Sequence, residues 1–223
     1  MPAKPQSRGE QKPERQPHVG RQRRPRAERS AQRRAAILQA ALDEFSARGF
    51  AAARLDDVAQ RAGVAKGTIY LHFADKESLF QELIRSMLHP LIDAVELAPK
   101  VDLPFPIVAE RFLDLFVREI YGTRRREIIR LMLTEGPRFP KLAEFYYHEV
   151  LERVFAVMRG LVQRAIERGE LKNDALLRFP QLLVAPGLVA ILWSGLFDRF
   201  HPLDVKDLMR AHLDLLFDER RSA

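Results

Sequence analysis

From residue 32 to residue 217, apolar side chains recur at i, i+3, i+4 and i+7, and no stretch sustains the alternation of a half-buried strand. That spacing predicts an all-α chain with helices over 32–47, 55–62, 66–72, 76–97, 105–121, 124–134, 140–168, 174–197 and 203–217. Gly49, Gly63, Gly122, Gly136 and Gly169 punctuate them. Pro99, Pro104 and Pro106 close the fourth, Pro137 and Pro140 bracket a turn, and Pro202 starts the last segment. Three short helices within about 50 residues, followed by longer ones, predict a small N-terminal module on a larger helical body. No internal repeat is found.

The first 29 residues break this pattern. Pro2, Pro5, Pro13, Pro17 and Pro25 interrupt a stretch with almost no large apolar residue, which buries too little surface to offset its ordering entropy. We therefore divide the chain into a disordered basic arm (1–29), the module (30–75) and the body (76–223). Residues 1–34 hold 11 Lys and Arg against 3 Asp and Glu, and the remaining 189 hold 26 against 27, so the formal net charge of +7 sits in the tail. Arg21, Arg23, Arg24, Arg26, Arg29, Arg33 and Arg34 either neutralise phosphates or only keep the protein soluble.

Composition narrows the chemistry further. The absence of Cys excludes disulfides, thiolate metal sites and a cysteine nucleophile, and no apolar signal segment opens the chain, so a cytoplasmic protein is expected. Phe179–Phe197 runs 19 residues without a charge, but Pro180, Gln181, Pro186, Gly187 and Ser194 interrupt it. We read it as a helix buried between the core and a partner subunit, not as a membrane span. No phosphate-cradling, nucleophile-elbow or HExxH pattern occurs, and Glu144, His148 and Glu152 supply one imidazole among carboxylates. Neither an enzyme, a cofactor nor a metal is expected.

The informative stretch is Leu55–Phe73, LDDVAQRAGVAKGTIYLHF. Val58, Ala59 and Ala62 share one face of a short helix, Gly63 suits the left-handed conformation that ends it, and Val64 and Ile69 resume an apolar face at once. Ala59 lets the second helix cross closely, while Ile37, Ala41, Phe45 and Phe50 supply the rest of a three-helix core with Phe73. Outward on the second helix remain Lys66, Gly67, Thr68, Tyr70, Leu71 and His72. A helix-turn-helix presents such a second helix to the major groove. Thr68 is otherwise a surface hydroxyl bonded to a nearby carbonyl, and His72 a solvated or partly buried imidazole.

VAQRAGVAKGTIYLHFADKESLF, Val58–Phe80, closely resembles the DNA-binding signature of the TetR family of transcriptional regulators, and the module-plus-body plan extends the likeness over 32–217. The resemblance implies that Lys66, Gly67, Thr68 and Leu71 face bases, while Tyr70, His72 and Lys76 hold phosphates. Where that family usually has Thr or Ser before the first helix of the motif, this chain has Arg54, which cannot cap an N-terminal amide but offers a phosphate a charge.

The resemblance also implies a body that binds a small molecule and dimerises. Phe112, Phe116, Met132, Phe145, Tyr146, Met158 and Trp193 either line an apolar effector pocket or fill the core. Glu135–Tyr147 resembles the AcrR-type and AefR-type branches, associated with lipophilic or aromatic effectors. Helices 174–197 and 203–217, the latter with Leu203, Leu208, Ala211, Leu215 and Leu216, are the expected homodimer surface. The whole reads as a repressor released from a pseudo-palindromic operator by a small apolar or aromatic effector. The rivals are a DNA-organising protein of low sequence specificity without an effector, and a helical binding module that has lost DNA recognition.

Overall fold

The computed structural model describes residues 26–97 and 103–217, and these contain helices and connecting turns without a strand. Eleven α-helices follow in order: α1 Arg26–Ala52, α2 Leu55–Ala62, α3 Lys66–Tyr70, α4 Lys76–Glu96, α5 Phe105–Leu115, α6 Arg125–Glu135, α7 Pro140–Tyr146, α8 Glu152–Glu167, α9 Ala175–Arg178, α10 Gln181–Leu196 and α11 Val205–Phe217. A π-helical turn, Phe116–Tyr121, extends α5, and a second, Tyr147–Leu151, joins α7 to α8.

Helix α1 departs from the expectation at its start, while its break at Gly49 is as expected. It begins at Arg26, so Arg26 and Arg29 are helical and do not belong to a disordered arm; residues 1–25 lie outside the described residues. The apolar pattern does not reach 26–31, yet Arg, Ala and Glu of that segment are good helix formers, and extending a helix already nucleated costs little. At the other end Gly49 (φ 76°, ψ 166°) breaks the helix, and Phe50 turns back into the core. Phe50 meets Phe45, Phe80 and Phe139 at ring-centroid distances of 5.6, 5.2 and 4.8 Å.

Ile37, Ala41, Phe45, Val58, Ala59, Ile69 and Phe73 are buried as expected, and Val64 packs against them. The same cluster continues through Leu79, Leu83 and Ile84 of α4 to Ile128, Leu131 and Leu142 of the body, so module and body share one core. Glu44 is the one charged side chain buried among the described residues. Its carboxylate accepts from Arg61 of α2 at 2.9 Å and lies 3.1 Å from Arg48, which also reaches Asp57 at 3.3 Å. This network ties α1 to α2, since a buried carboxylate is tolerated only when paired.

In the body, the long segment expected over 140–168 is divided by its π-helical turn, and the one expected over 174–197 is broken at Phe179–Pro180, where proline has no N–H to continue the ladder. Pro90 lies inside α4. The carbonyl of Met87, one turn earlier, accepts from Arg125 Nε at 2.7 Å, so α6 grips α4 beside its proline. Arg125 also takes the carbonyl and carboxylate of Glu119, both at 3.0 Å.

Candidate nucleic-acid interface and cavity

The exposed face of α3 is built by the turn before it. Gly63 (φ 65°, ψ 33°) is left-handed; its amide donates to Gln60 and that of Val64 to Ala59, which closes the end of α2. Ile69 on α3 is fully buried, and this anchor turns the other side of the helix outward. Leu71 is 83% exposed and Tyr70 50%. Gly67 has no heavy atom within 4 Å of where a Cβ would stand, leaving open space at the helix surface. Thr68 and His72 are half-buried, with the His72 ring centroid 6.1 Å from that of Phe73. Lys66 pairs with Asp56 at 2.7 Å, and this hydrogen bond raises the lysine pKa. Arg54 is exposed at the start of α2 and caps no amide with its side chain, as its chemistry requires. Lys66, Gly67, Thr68, Tyr70, Leu71 and Arg54 thus lie on or beside one accessible ridge.

Lys76 does not join it. Its ammonium donates to the carbonyls of Phe50, Ala51 and Ala53 at 2.8, 3.0 and 3.1 Å, which uses all three of its protons within the protein. The expected phosphate contact is therefore corrected to a structural one. Sequence patterning points to the residue and to the break at Gly49 but not to their meeting, because nothing local places Lys76 against the carbonyls of Phe50, Ala51 and Ala53. Glu44 is missed likewise: a carboxylate on a core face has no signal until Arg61 is placed opposite.

The body contains an apolar cavity of about 110 Å³ between the end of α4, α5 and α8. Ala94, Val95, Val108, Phe112, Leu115 and Met158 are among its walls, and Arg111 stands at its edge. A smaller one of about 20 Å³ lies beyond Phe112 and Met158, reaching Leu183 and Leu213. Of the seven pocket residues expected from sequence, Phe112 and Met158 line these cavities and five do not. Met132 and Tyr146 are buried in the shared core, where burial pushes the Tyr146 phenol above its ordinary pKa. Phe116 packs so closely on α10 that a Cβ at Gly187 would stand 2.6 Å from its ring. Phe145 lies 4.7 Å beneath the Arg85 guanidinium, and Trp193 donates to the His201 carbonyl at 2.7 Å. Each is taken up by a neighbour that sequence spacing does not reveal.

The helices expected to form a dimer surface are only partly exposed. Leu203, Leu208 and Leu216 pack against the protein's own core, whereas Leu215 is 69% exposed. Val189, Leu192, Leu196 and Phe200 are exposed along α10 and just after it. Among the described residues no helix is long and apolar enough to cross a membrane, and no group of three or more His, Asp or Glu is placed to hold a metal ion. His148 pairs with Glu152 at 2.9 Å on an exposed face.

Residues 37–83 match the model for bacterial regulatory proteins of the tetR family, and residues 109–217 match that for a tetracyclin repressor-like C-terminal domain. The HTH-type transcriptional repressor BepR of Brucella suis biovar 1 is 31% identical over 158 residues, 68% of this chain and 74% of that protein. The uncharacterised HTH-type transcriptional regulator YhgD of Bacillus subtilis is 40% identical over 188 residues, 83% of this chain and 95% of that protein. Bacillus subtilis FadR, solved in complex with stearoyl-CoA, shares the fold with a TM-score of 0.66 at 20% identity, over 82% of this chain and 97% of that one.

Proposed function

The chain belongs to the TetR family of bacterial regulatory proteins and is a helix-turn-helix transcriptional regulator; from that premise we propose that it is a cytoplasmic homodimeric repressor, released from DNA by a small apolar effector. The observation that carries the reading is the outward face of α3, where Lys66, Gly67, Thr68, Tyr70 and Leu71 surround a buried Ile69. Lys66, Gly67, Thr68 and Leu71 read base edges, while Tyr70, His72 and Arg54 hold flanking phosphates that fix register without reading sequence. Two such modules in a dimer suit a pseudo-palindrome with half-sites one helical turn, about 34–36 Å, apart.

The effector site is the cavity lined by Phe112 and Met158. Its walls are almost wholly apolar, which favours a hydrocarbon or aromatic ligand, and the guanidinium of Arg111 offers an anionic end a partner. Ala94 and Val95 are wall residues on α4, downstream of Pro90, while the first turn of α4 holds the end of α1 through Lys76. A ligand that parts α4 from α8 therefore tilts the helix that carries the module, with Pro90 and the Arg125 grip on Met87 as pivot. A coupling of about 1–3 kcal/mol suffices for a 5–150-fold release.

The experiment is fluorescence anisotropy at about 150 mM salt on DNA from upstream of the protein's own gene and on a shuffled duplex. A hundredfold preference, lost when a saturating effector is added, is the expected result. Equal binding to both duplexes and to further genomic sites overturns specific recognition in favour of a DNA-organising protein. An effector that binds in the cavity yet leaves operator affinity unchanged overturns the release mechanism.

A further inference from the structure

The first eleven residues of α1, 26–36, are helical although none of them is buried. At 1.5 Å per residue this is a rod of about 16 Å projecting ahead of the first core residue, Ile37. An amphipathic face does not explain it. What the rod carries is charge: Arg26, Arg29 and Arg33 fall within an arc of about 60° at 100° per residue, in line with the stripe that becomes Ile37 and Ala40 in the core.

The surroundings of these arginines point outward from the protein. Arg34 is the contrast: it pairs with Glu82 and lies 5.6 Å over the Phe73 ring. Arg26, Arg29 and Arg33 are exposed and have no such partner among the described residues. Arg29, Gln32 and Arg33 form one side of an open concavity of about 270 Å³, whose other side is Ala62, Gly63 and Val64. That second wall is the turn leading into Lys66, the first residue of α3. The guanidinium groups of Arg29 and Arg33 thus share one concavity with the turn that leads into the helix facing the bases.

We infer that the projecting start of α1 is a second DNA contact, in which Arg26, Arg29 and Arg33 bind the sugar–phosphate backbone flanking each half-site. This rests on the reading of α3 as the DNA-facing helix. Charge and spacing select the partner. Arg26 and Arg33 are seven residues, about 10 Å, apart along the helix, and one DNA strand presents a phosphate for roughly every 3.4 Å of axis, so the row matches about three phosphates. Guanidinium groups suit them because their fork donates to two phosphate oxygens at once. The contact reads no bases. It lengthens the footprint and steepens the salt dependence of binding to any duplex.

The test compares the native protein with Arg26→Gln/Arg29→Gln/Arg33→Gln on two DNAs, the upstream duplex and a shuffled one, across about 50–200 mM salt. Glutamine keeps helix propensity close to that of arginine, and circular dichroism with a melting curve verifies that the variant folds. Three lost phosphate contacts at each half-site, six per dimer, lower the log–log salt slope by about 5.4 on both duplexes, with the preference between them retained. Trimming the flanks of the upstream duplex lowers the native slope towards that of the variant and leaves the variant's slope in place. An unchanged slope in the folded variant overturns the inference; if the native protein then binds anionic phospholipid vesicles and the variant does not, the face belongs to a membrane surface. Loss of preference with an unchanged slope also overturns it, since the arginines then read bases. Failure of the native protein to prefer the upstream duplex or any genomic site overturns the reading of α3, whatever the salt slope.

Discussion

Lys76 Nζ donates to the carbonyl of Phe50 at 2.8 Å while lying 4.8 Å from the centroid of the same residue's ring. The first residue of α4 thereby closes the end of α1, whose last carbonyls have no helical partner after the break at Gly49. Burial lowers the ammonium pKa, and the nearby Glu135 carboxylate opposes that shift. Glu135 is the last residue of α6, so one small region joins α1, α4 and α6.

Lys76→Met keeps the side-chain stem and removes all three donors. Leaving part-buried carbonyls unsatisfied costs about 1–3 kcal/mol, which appears as a lower melting temperature. DNA affinity measured well below that temperature is expected to keep its salt slope. A slope reduced by about one unit per subunit with the melting temperature unchanged contradicts the capping role and restores a phosphate contact.

Much of the module is legible in sequence because its signals are local. Gly63 ends α2 within its own turn, and Val58, Ala59 and Ile69 declare a buried face through spacing alone. The same logic fails in the body. Phe112 and Met132 have equal claim to a cavity by composition, and only the placement of α8 beside α5 puts the first at a void and the second in packed core. The partners of Lys76, Glu44 and Arg125 are missed in the same way, since each acts on a group 17 to 38 residues distant in sequence. Helix propensity, not apolar periodicity, is the signal for 26–31.

Lys66 and Tyr70 separate base reading from backbone contact. Lys66→Ala is expected to relax preference at one base position by about 1–3 kcal/mol, whereas Tyr70→Phe weakens binding to all sequences alike. Affinities for a panel of single-base operator variants decide this. A uniform loss for Lys66→Ala contradicts its place at a base and leaves its pairing with Asp56 as its main role.

Gly187 reports on the packing of α10 against the turn after α5. A Cβ there would lie 2.6 Å from Phe116 Cζ and 2.9 Å from Cε1, inside the distance real contacts allow. Gly187→Ala therefore displaces a ring held in the core, at a cost of about 1–3 kcal/mol despite the better helix propensity of alanine. Chemical denaturation measures it, and a stabilised variant shows that the Phe116 ring rotates away freely.

Glu149 gives stability an acid limb. The hydrogen bond from Arg85 at 3.2 Å, aided by His89 at 3.1 Å, holds its carboxyl below the usual carboxylate range. Glu96, paired with Arg153, shifts the same way. A depressed folded-state pKa means stabilisation that is complete above the unfolded value of about 4.3 and lost as pH falls through the folded one. Glu149→Gln is expected to lower stability near neutrality and flatten its decline below about pH 4.3, with the remaining slope coming from Glu96 and other paired carboxylates. An acid limb identical to that of the native protein contradicts this.

Val189 tests the dimer. It lies 50% exposed on α10 between Leu182 and Leu196, which are also exposed, and no part of the described chain covers this face. In a two-fold interface the same residue meets its symmetry mate's surface, so a single substitution changes both sides. Val189→Glu leaves the charge in water in the isolated subunit, where it costs little, and buries two unpaired carboxylates in the dimer, where the cost is several kcal/mol. The expected variant is a folded monomer by analytical ultracentrifugation, binding a single half-site as the native protein does but losing the added affinity of the full palindrome. A dimer that persists with undiminished palindrome binding moves the interface off α10.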